Sequence, residues 1–516
     1  MRRVGSAAAR AGACGACLAL ALTFAGAPPR SVDAEPAPIV TPAIGGAPWT
    51  ADEIAKLDAD LDALLEGSAA LRGAHAGVVA LDTASGAVLY ARHADDAFQP
   101  ASTLKLVAGS AALDRLGPAF RFRSALERVA DGSRPASFVF RMGGDPTLSP
   151  ADLAGAADAV AAGPVGAVYV DDSAFERAPY PAGWTWDDFG EDYAAPVSAA
   201  TLNENVVDLV VTPGARAGDA AAVRFADGRP FRSASDGCAA SASVVVAARA
   251  TTGAPGSDDT IDAARTPANC PEIVGSIPLG APAETVAAAV ASPVVALAEA
   301  FRFALAHRHV PFASPSPTGP PDAMLRPPAS LPAGTVVWTH ESAPLAALLG
   351  PRFWIPSDNL FGELLVRELG LRAAGKPGTT DAGTADEKAW LASIGVDPAT
   401  VSLADGCGMS QYDRITPRDL VAILQHDWNG PNRGVVLDSL PVGGARGTIE
   451  GIAGTPAAGR VFAKTGSMRH VRGLAGYLAT ERHGAVTFAF EVDDWLGDYP
   501  ALAATRAAAL ARIVRD

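Results

Sequence analysis

Ala101-Ser102-Thr103-Leu104-Lys105 is the stretch on which the reading of this chain turns. It has the form S-x-x-K. Residues three apart share one face of a helix, so Lys105 stands a turn above Ser102 with its amine in reach of the hydroxyl. Serine does not ionise at neutral pH and becomes a nucleophile only beside a base. Lysine serves as that base when burial or a second cation lowers its pKa. Gln99-Pro100 marks a turn, and Leu106 to Leu113 continues as an apolar helix. The pair therefore belongs at a buried helix start, where backbone N–H groups are free. Taken alone, the pattern also describes a capping Ser with a surface Lys.

Two later segments narrow this. Ser357-Asp358-Asn359 and Lys464-Thr465-Gly466 follow in that order. S-x-x-K, S-D-N and K-T-G together resemble the signature set of penicillin-binding proteins and class A β-lactamases. The chemistry suits the residue types. The Ser357 hydroxyl can relay a proton to a leaving amine, and the Asn359 amide can hold a substrate carbonyl. Asp358, pointing away, reads as a structural anchor. Lys464 supplies a cation that binds a carboxylate and depresses the pKa of Lys105. Thr465 adds a hydroxyl for the same carboxylate. Gly466 lets a substrate backbone approach a strand edge. The N–H groups of Ser102 and Ser467 form the expected oxyanion hole. The set asks for an acyl donor with a free C-terminal carboxylate.

Outward from the motifs, the pattern alternates between helix-rich ends and a strand-rich middle. Trp49 to Leu65 has helical spacing, with Ile54, Leu57, Leu61 and Leu64 on one side and Thr50 and Glu53 forming a capping box. Residues 78–82 and 87–90 read as a hairpin joined by 83–86. Helices are expected at 342–350, 358–374, 417–427 and 499–514, a strand at 461–465, and a second hairpin from 473–479 and 485–492. Arg506, Arg512 and Arg515 on the last helix read as a solvated face. The first and second motifs are separated by over two hundred residues, too long for a loop. The expected partition is 1–34 signal peptide, 38–120 with 338–516 catalytic domain, 121–146 with 230–337 inserted domain, and 147–229 a second domain nested in it.

The balance of 41 Lys and Arg against 56 Asp and Glu, net −15, and the lack of a basic run argue against nucleic acid as a partner. Arg2, Arg3 and Arg10 precede an apolar run from Ala11 to Phe24, with small-residue cleavage sites at 25–27 and 32–34. That is a secretory signal peptide, too short to span a membrane, so the expected location is the periplasm, without an anchor after cleavage. Cys14 and Cys17 fall within it. Cys238 and Cys270 pair or stand as separate thiols, and Cys407 is left over. The eight histidines give no metal reading: His307-Arg308-His309 lacks helical ligand spacing, and His340-Glu341 has no second His four residues on.

More of the chain is then accounted for at once. Pro100-Ala-Ser-Thr-Leu-Lys105, Gly144-Asp-Pro-Thr-Leu148, Gly183-Trp-Thr-Trp-Asp-Asp188, Ala195-Pro-Val-Ser198 with Asn203-Glu-Asn205, Asp405-Gly-Cys-Gly408 and Ala463-Lys-Thr-Gly-Ser467 stand in one order. That order resembles the D-alanyl-D-alanine carboxypeptidase/endopeptidase family of class C penicillin-binding proteins. The resemblance implies an α/β (α+β) fold: a β-lactamase/transpeptidase-like catalytic domain of helices around an antiparallel sheet, with two nested β-rich insertions. It implies a serine peptidase, without cofactor, that acts on peptidoglycan stem peptides through an acyl-serine and is acylated by β-lactams. By the same resemblance, Asp188 helps read the amino group of the donor peptide. The chain departs from the family in carrying Cys407 where Ser is usual, which raises the expectation of oxidant sensitivity. The bulky Phe353-Trp354-Ile355-Pro356 before the second motif is expected to reshape the approach. A β-lactamase on the same frame and a wall-binding scaffold without turnover remain as alternatives. The first needs a deacylating base, for which no candidate stands out, and the second must explain intact Ser102, Lys105 and Lys464.

Overall fold

A computed structural model describes residues 37–516, apart from 132–133, 161–162, 230–245, 267–269, 313–324, 330 and 450. The expected signal peptide and Cys238 therefore lie outside the described residues. Helix α1 (Ala51–Gly67) begins at Thr50, whose hydroxyl accepts from Glu53 N while the Glu53 carboxylate accepts from Thr50 N. It buries Leu57, Leu61 and Leu65, and Ile54 and Leu64 pack beside them. The hairpin β1 (His75–Asp82) and β2 (Val88–Arg92) leads to a single 3-10 turn at Ala101–Leu104 and then to α2 (Lys105–Arg115).

The middle holds β3 (Arg123–Asp131), β4 (Arg134–Arg141), α3 (Asp152–Asp158), β5 (Val168–Asp171), β6 (Val206–Thr212) and β7 (Ala222–Phe225). It continues with β8 (Ala247–Ala248), β9 (Thr251–Gly253), β10 (Asp262–Arg265), β11 (Pro271–Val274), β12 (Ser276–Pro278), β13 (Glu284–Ala289), α4 (Pro293–His307) and β14 (Thr335–Glu341). Its sheets run β14-β3-β4-β5, β13-β6-β7, β10-β11-β8 and β12-β9. The pairings cross the expected nesting. β5, from within 147–229, lies parallel to β4, and β13, from outside that range, pairs with β6. One apolar cluster runs from Leu126 to Leu325 and also takes in Leu360 and Leu364 of the next helix set, so the expected insertion shares its core with the part expected to be catalytic. Cys270 is disulfide-bonded.

The chain returns as α5 (Leu345–Leu348), a wide turn at Leu349–Trp354, α6 (Asn359–Ala374), α7 (Thr380–Ser393), α8 (Pro417–Asn429), α9 (Arg433–Ser439), β15 (Val461–Met468), β16 (Val471–Ala479), β17 (Ala485–Asp493) and α10 (Tyr499–Val514). The five-stranded antiparallel sheet is ordered β15-β16-β17-β1-β2, which leaves β15 at an edge. Strand alternation sorts its two faces. Val486, Phe488, Phe490 and Val492 pack with α1 and α10, while Ala485 and Ala489 face the cluster containing α2, α6 and α8. Arg506, expected on a solvated face, is buried and sits over the Tyr499 ring at 5.9 Å. An aromatic neighbour lets a guanidinium leave water at lower cost. The K-T-G strand does not stop at Gly466 but runs on to Met468.

Candidate active site

Three local structures bring the motif residues together. The S-x-x-K segment is a tight turn entering α2, with Ala101 in the left-handed region at φ 45°. Lys105 is 0% exposed. Its Nζ lies 2.8 Å from Ser102 Oγ, 2.6 Å from Asn359 Oδ1 and 2.9 Å from the Cys407 carbonyl oxygen. Those three acceptors match the three N–H bonds of an ammonium. In the neutral form, one position becomes a lone pair free to take the serine proton.

The S-D-N segment is the start of α6. Asp358 caps it by accepting from Phe361 N at 2.6 Å, the anchoring role expected of it. Ser357 adopts φ 64°, a conformation that costs a non-glycine residue energy and recurs at functional sites. Its Oγ accepts from Lys464 Nζ at 2.9 Å. Asn359 holds Lys105 through Oδ1 and donates from Nδ2 to the Tyr193 carbonyl at 2.8 Å.

The K-T-G segment lies on edge strand β15. Lys464 is buried and also donates to the Thr465 carbonyl at 2.9 Å. Thr465 Oγ1 shares a 2.6 Å hydrogen bond with Thr448 Oγ1. A side chain at Gly466 would meet the Pro100 carbonyl oxygen at 2.5 Å and Thr103 N at 3.2 Å. The missing Cβ thus lets β15 press on the Ser102 turn, a requirement of the fold that the reading for substrate approach did not include. Ser467 is exposed beside it.

Burial sets the electrostatics. Desolvation lowers the pKa of Lys105 despite the acids beneath it. Lys464 is pulled well below the ordinary lysine value by desolvation first and by the charge of Lys105 second. The repulsion expected to act on Lys105 falls instead on Lys464. Behind the site, burial and Asp405 push the Glu363 carboxyl up to about 8.

Asp405 organises the loop that supplies the third acceptor for Lys105. Its carboxylate accepts from Gly408 N at 2.6 Å, Ser410 N at 2.7 Å, Cys407 N at 3.0 Å and the Trp184 indole at 2.9 Å. In the sequence this loop stands out only through a resemblance. The contact is made by a backbone oxygen, which leaves no residue-type signal. The Cys407 thiol is buried and its pKa is raised by desolvation, which disfavours the thiolate and so opposes the oxidant sensitivity expected there. The bulky residues before Ser357 also turn inward. Trp354 donates from its indole to the Lys105 carbonyl at 2.9 Å, and Phe353 stacks on Phe361. Asp188 stands apart from the lysines on an exposed loop of the insertion. Its carboxylate accepts from Tyr193 Oη at 3.0 Å and from Thr185 Oγ1 at 2.5 Å, and the Tyr193 backbone in turn meets Asn359.

Residues 57–514 match the model of the D-Ala-D-Ala carboxypeptidase 3 (S13) family. The chain belongs to that family. It is a serine-type D-Ala-D-Ala carboxypeptidase. A D-alanyl-D-alanine carboxypeptidase of Actinomadura sp. is 33% identical over 459 residues, covering 84% of this chain and 81% of that one. The D-alanyl-D-alanine carboxypeptidase DacB of Haemophilus influenzae is 30% identical over 158 residues, 30% of this chain and 33% of that one. The crystal structure of penicillin binding protein 4 (dacB) from Haemophilus influenzae superposes with a TM-score of 0.73 at 21% identity, over 87% of this chain and 98% of that one, and so shows the shared fold. Among the described residues of this family member, no helix is long and apolar enough to cross a membrane.

Proposed function

We propose that Ser102 is the nucleophile of this carboxypeptidase and neutral Lys105 its base. The observation that carries this is the 2.8 Å contact between Lys105 Nζ and Ser102 Oγ inside a fully buried amine pocket. The Ser102 proton passes to Nζ as Oγ attacks the carbonyl carbon of the penultimate D-Ala. The oxyanion is held by the N–H groups of Ser102 and Ser467. As the C–N bond breaks, the proton leaves Lys105 for the amine of the departing D-Ala, relayed by the Ser357 hydroxyl. Water then cleaves the acyl-serine. Lys464, with Thr465, receives the C-terminal carboxylate, whose charge favours the ammonium form that burial otherwise opposes. Asn359 orients Lys105 and a donor carbonyl, and Gly466 keeps β15 against the turn.

The donor is a peptidoglycan stem peptide ending in D-Ala-D-Ala. Asp188 meets an amino group on that donor, a reading supported by its contact with Tyr193, whose backbone meets Asn359. Nearby Glu191 is pushed up to about 8 by burial and by Asp262, Asp192 and Asp188, so this loop welcomes a cation. DD-endopeptidase cleavage uses the same acyl step with a longer leaving amine. β-Lactams enter as cyclic analogues of the donor; the Haemophilus influenzae protein of this fold is described as complexed with a novel beta-lactam. The basic, apolar start of the chain supports export to the periplasm. The test is release of D-Ala from purified muropeptides. Wild type releases it, Ser102→Ala does not while keeping its fold, and persisting release overturns the assignment. Rapid turnover of a bound penicillin would instead favour a β-lactamase.

A further inference from the structure

No spacing along the chain marks a metal ligand set among the histidines, because the relevant pair is eighteen positions apart. The β1–β2 hairpin brings them together. Register pairs Val78 with Arg92, so His75 and His93 sit at the same open end. Asp96 follows in the segment that leads to Ser102. Asp96 Oδ2 lies 3.1 Å from His75 Nε2 and 3.1 Å from His93 Nδ1, and the donor atoms of all three residues lie within 4.8 Å of one another.

That spacing is close to what a tetrahedral ion requires. Ligands about 2.0–2.1 Å from zinc stand about 3.3 Å apart, so the two 3.1 Å edges to Asp96 need to open by about 0.2 Å and the His75–His93 edge, within 4.8 Å, closes to match. The imidazoles are also held in place. The His75 ring stacks on buried Phe98 with centroids 4.6 Å apart, and meets the His93 ring edge-on at 4.8 Å. His93 takes φ 46°, which turns its side chain out of the run of the strand. His75 stands across the sheet register from Asp493, whose carboxylate accepts from Gln99 N at 2.9 Å. A cleft of about 320 Å³ lined by His75, His93 and Arg72 gives access from solvent.

We propose that His75, His93 and Asp96 form a zinc site with a water as fourth ligand. It clips the 93–98 segment to the end of the sheet, upstream of the nucleophile turn. The role is structural: none of the three residues touches Ser102, Lys105 or Lys464 among the described contacts. The bland alternative is two imidazoles hydrogen-bonded to a carboxylate with no affinity for metal.

The two are separated by titrating zinc chloride into the chelator-stripped protein by calorimetry, with a parallel thermal melt. The proposal expects one saturable site, a rise in Tm on adding zinc, and binding weakened at least about tenfold in each of His75→Ala, His93→Gln and Asp96→Asn. Acylation by penicillin in metal-free buffer should be unchanged in all three, which also shows that they fold. No saturable binding to wild type, or undiminished binding in a His75→Ala/His93→Gln double variant, overturns it.

Discussion

At the scale of single residues, Lys105 is the proposed base. Burial lowers its pKa, so it becomes a neutral base at a lower pH than an exposed lysine would. In the proposed mechanism the neutral form is the active one, so acylation by benzylpenicillin should rise with pH through that lowered pKa and fall as protons return. Lys464 acts in the opposite sense. It is also drawn down, and its cation binds carboxylate, so KM for a carboxylate-ended donor should climb at alkaline pH. Stopped-flow acylation and donor kinetics from about pH 5 to about pH 10 read both limbs. Lys105→Met should slow acylation by about 10²–10⁴-fold, the usual contribution of a general base. Cys407 supports Lys105 by its carbonyl, not its thiol. Cys407→Ser should therefore leave kcat within about twofold. Iodoacetamide mapping should find Cys407 unmodified in the native protein, whereas ready alkylation would restore the oxidant-sensitive reading.

At the scale of elements, α2 is fitted to its neighbours on two sides. Gly109 leaves room for the Trp354 ring, whose nearest atom would lie 2.5 Å from an added Cβ. Ser110 donates to Asp427 of α8 at 2.6 Å. Burial pushes the Asp427 carboxyl up to about 8, far above the ordinary carboxylate value. A raised carboxyl pKa means that the folded state keeps a proton the unfolded chain would release. Its contribution is full below the unfolded pKa of about 4 and is lost as pH rises through about 8. Urea midpoints at about pH 6 and about pH 9 should fall with pH in wild type and fall less in Asp427→Asn, where the amide mimics the protonated acid. An equal fall in both would remove Asp427 from the account.

The elements also show where the sequence was legible. Helix α1 was readable because Thr50, Glu53 and its leucine spacing agree with one another, and β1–β2 because a turn separates two apolar runs. Helices α7 and α9 were not anticipated. α7 mixes Thr, Gly, Ala and Asp and buries one regular face, Thr380, Gly383, Thr384, Glu387, Trp390 and Leu391, of which only the last two are large and apolar. Arg506 was misread because its charge was taken to mean exposure, whereas Tyr499, two turns earlier on the same helix, gives its guanidinium a ring to sit over. The side chains proposed to be catalytic were legible through three short motifs. The Asp405 loop and the Cys407 carbonyl were not, since backbone acceptors can come from any residue.

Across the whole molecule, the insertion is joined to the catalytic part by buried polar contacts as well as apolar ones. Arg367 of α6 is 0% exposed and donates to the carbonyls of Ala178 at 2.5 Å, Glu176 at 3.1 Å and Val197 at 3.2 Å. Trp184 reaches Asp405 from the same insertion, with Cys407 and Ala194 packed around it. Removing the guanidinium strands three carbonyls, so Arg367→Met should cost about 2–4 kcal/mol by chemical denaturation. It should also lower kcat, because the loop carrying Tyr193 and Asp188 loses its anchor. Unchanged stability and turnover would show that the insertion is held by its apolar core alone. The distances between the three motifs were beyond the sequence, because only the folded sheet sets β15 against the turn at Ser102.

The central claim is that a buried amine makes one particular alcohol reactive. Mass spectrometry of the penicillin-treated protein, intact and after proteolysis, tests it most directly. The account predicts a single penicilloyl adduct on the peptide containing Ser102, absent from Ser102→Ala and formed far more slowly in Lys105→Met. An adduct on another residue, or none on folded wild-type protein, would contradict it.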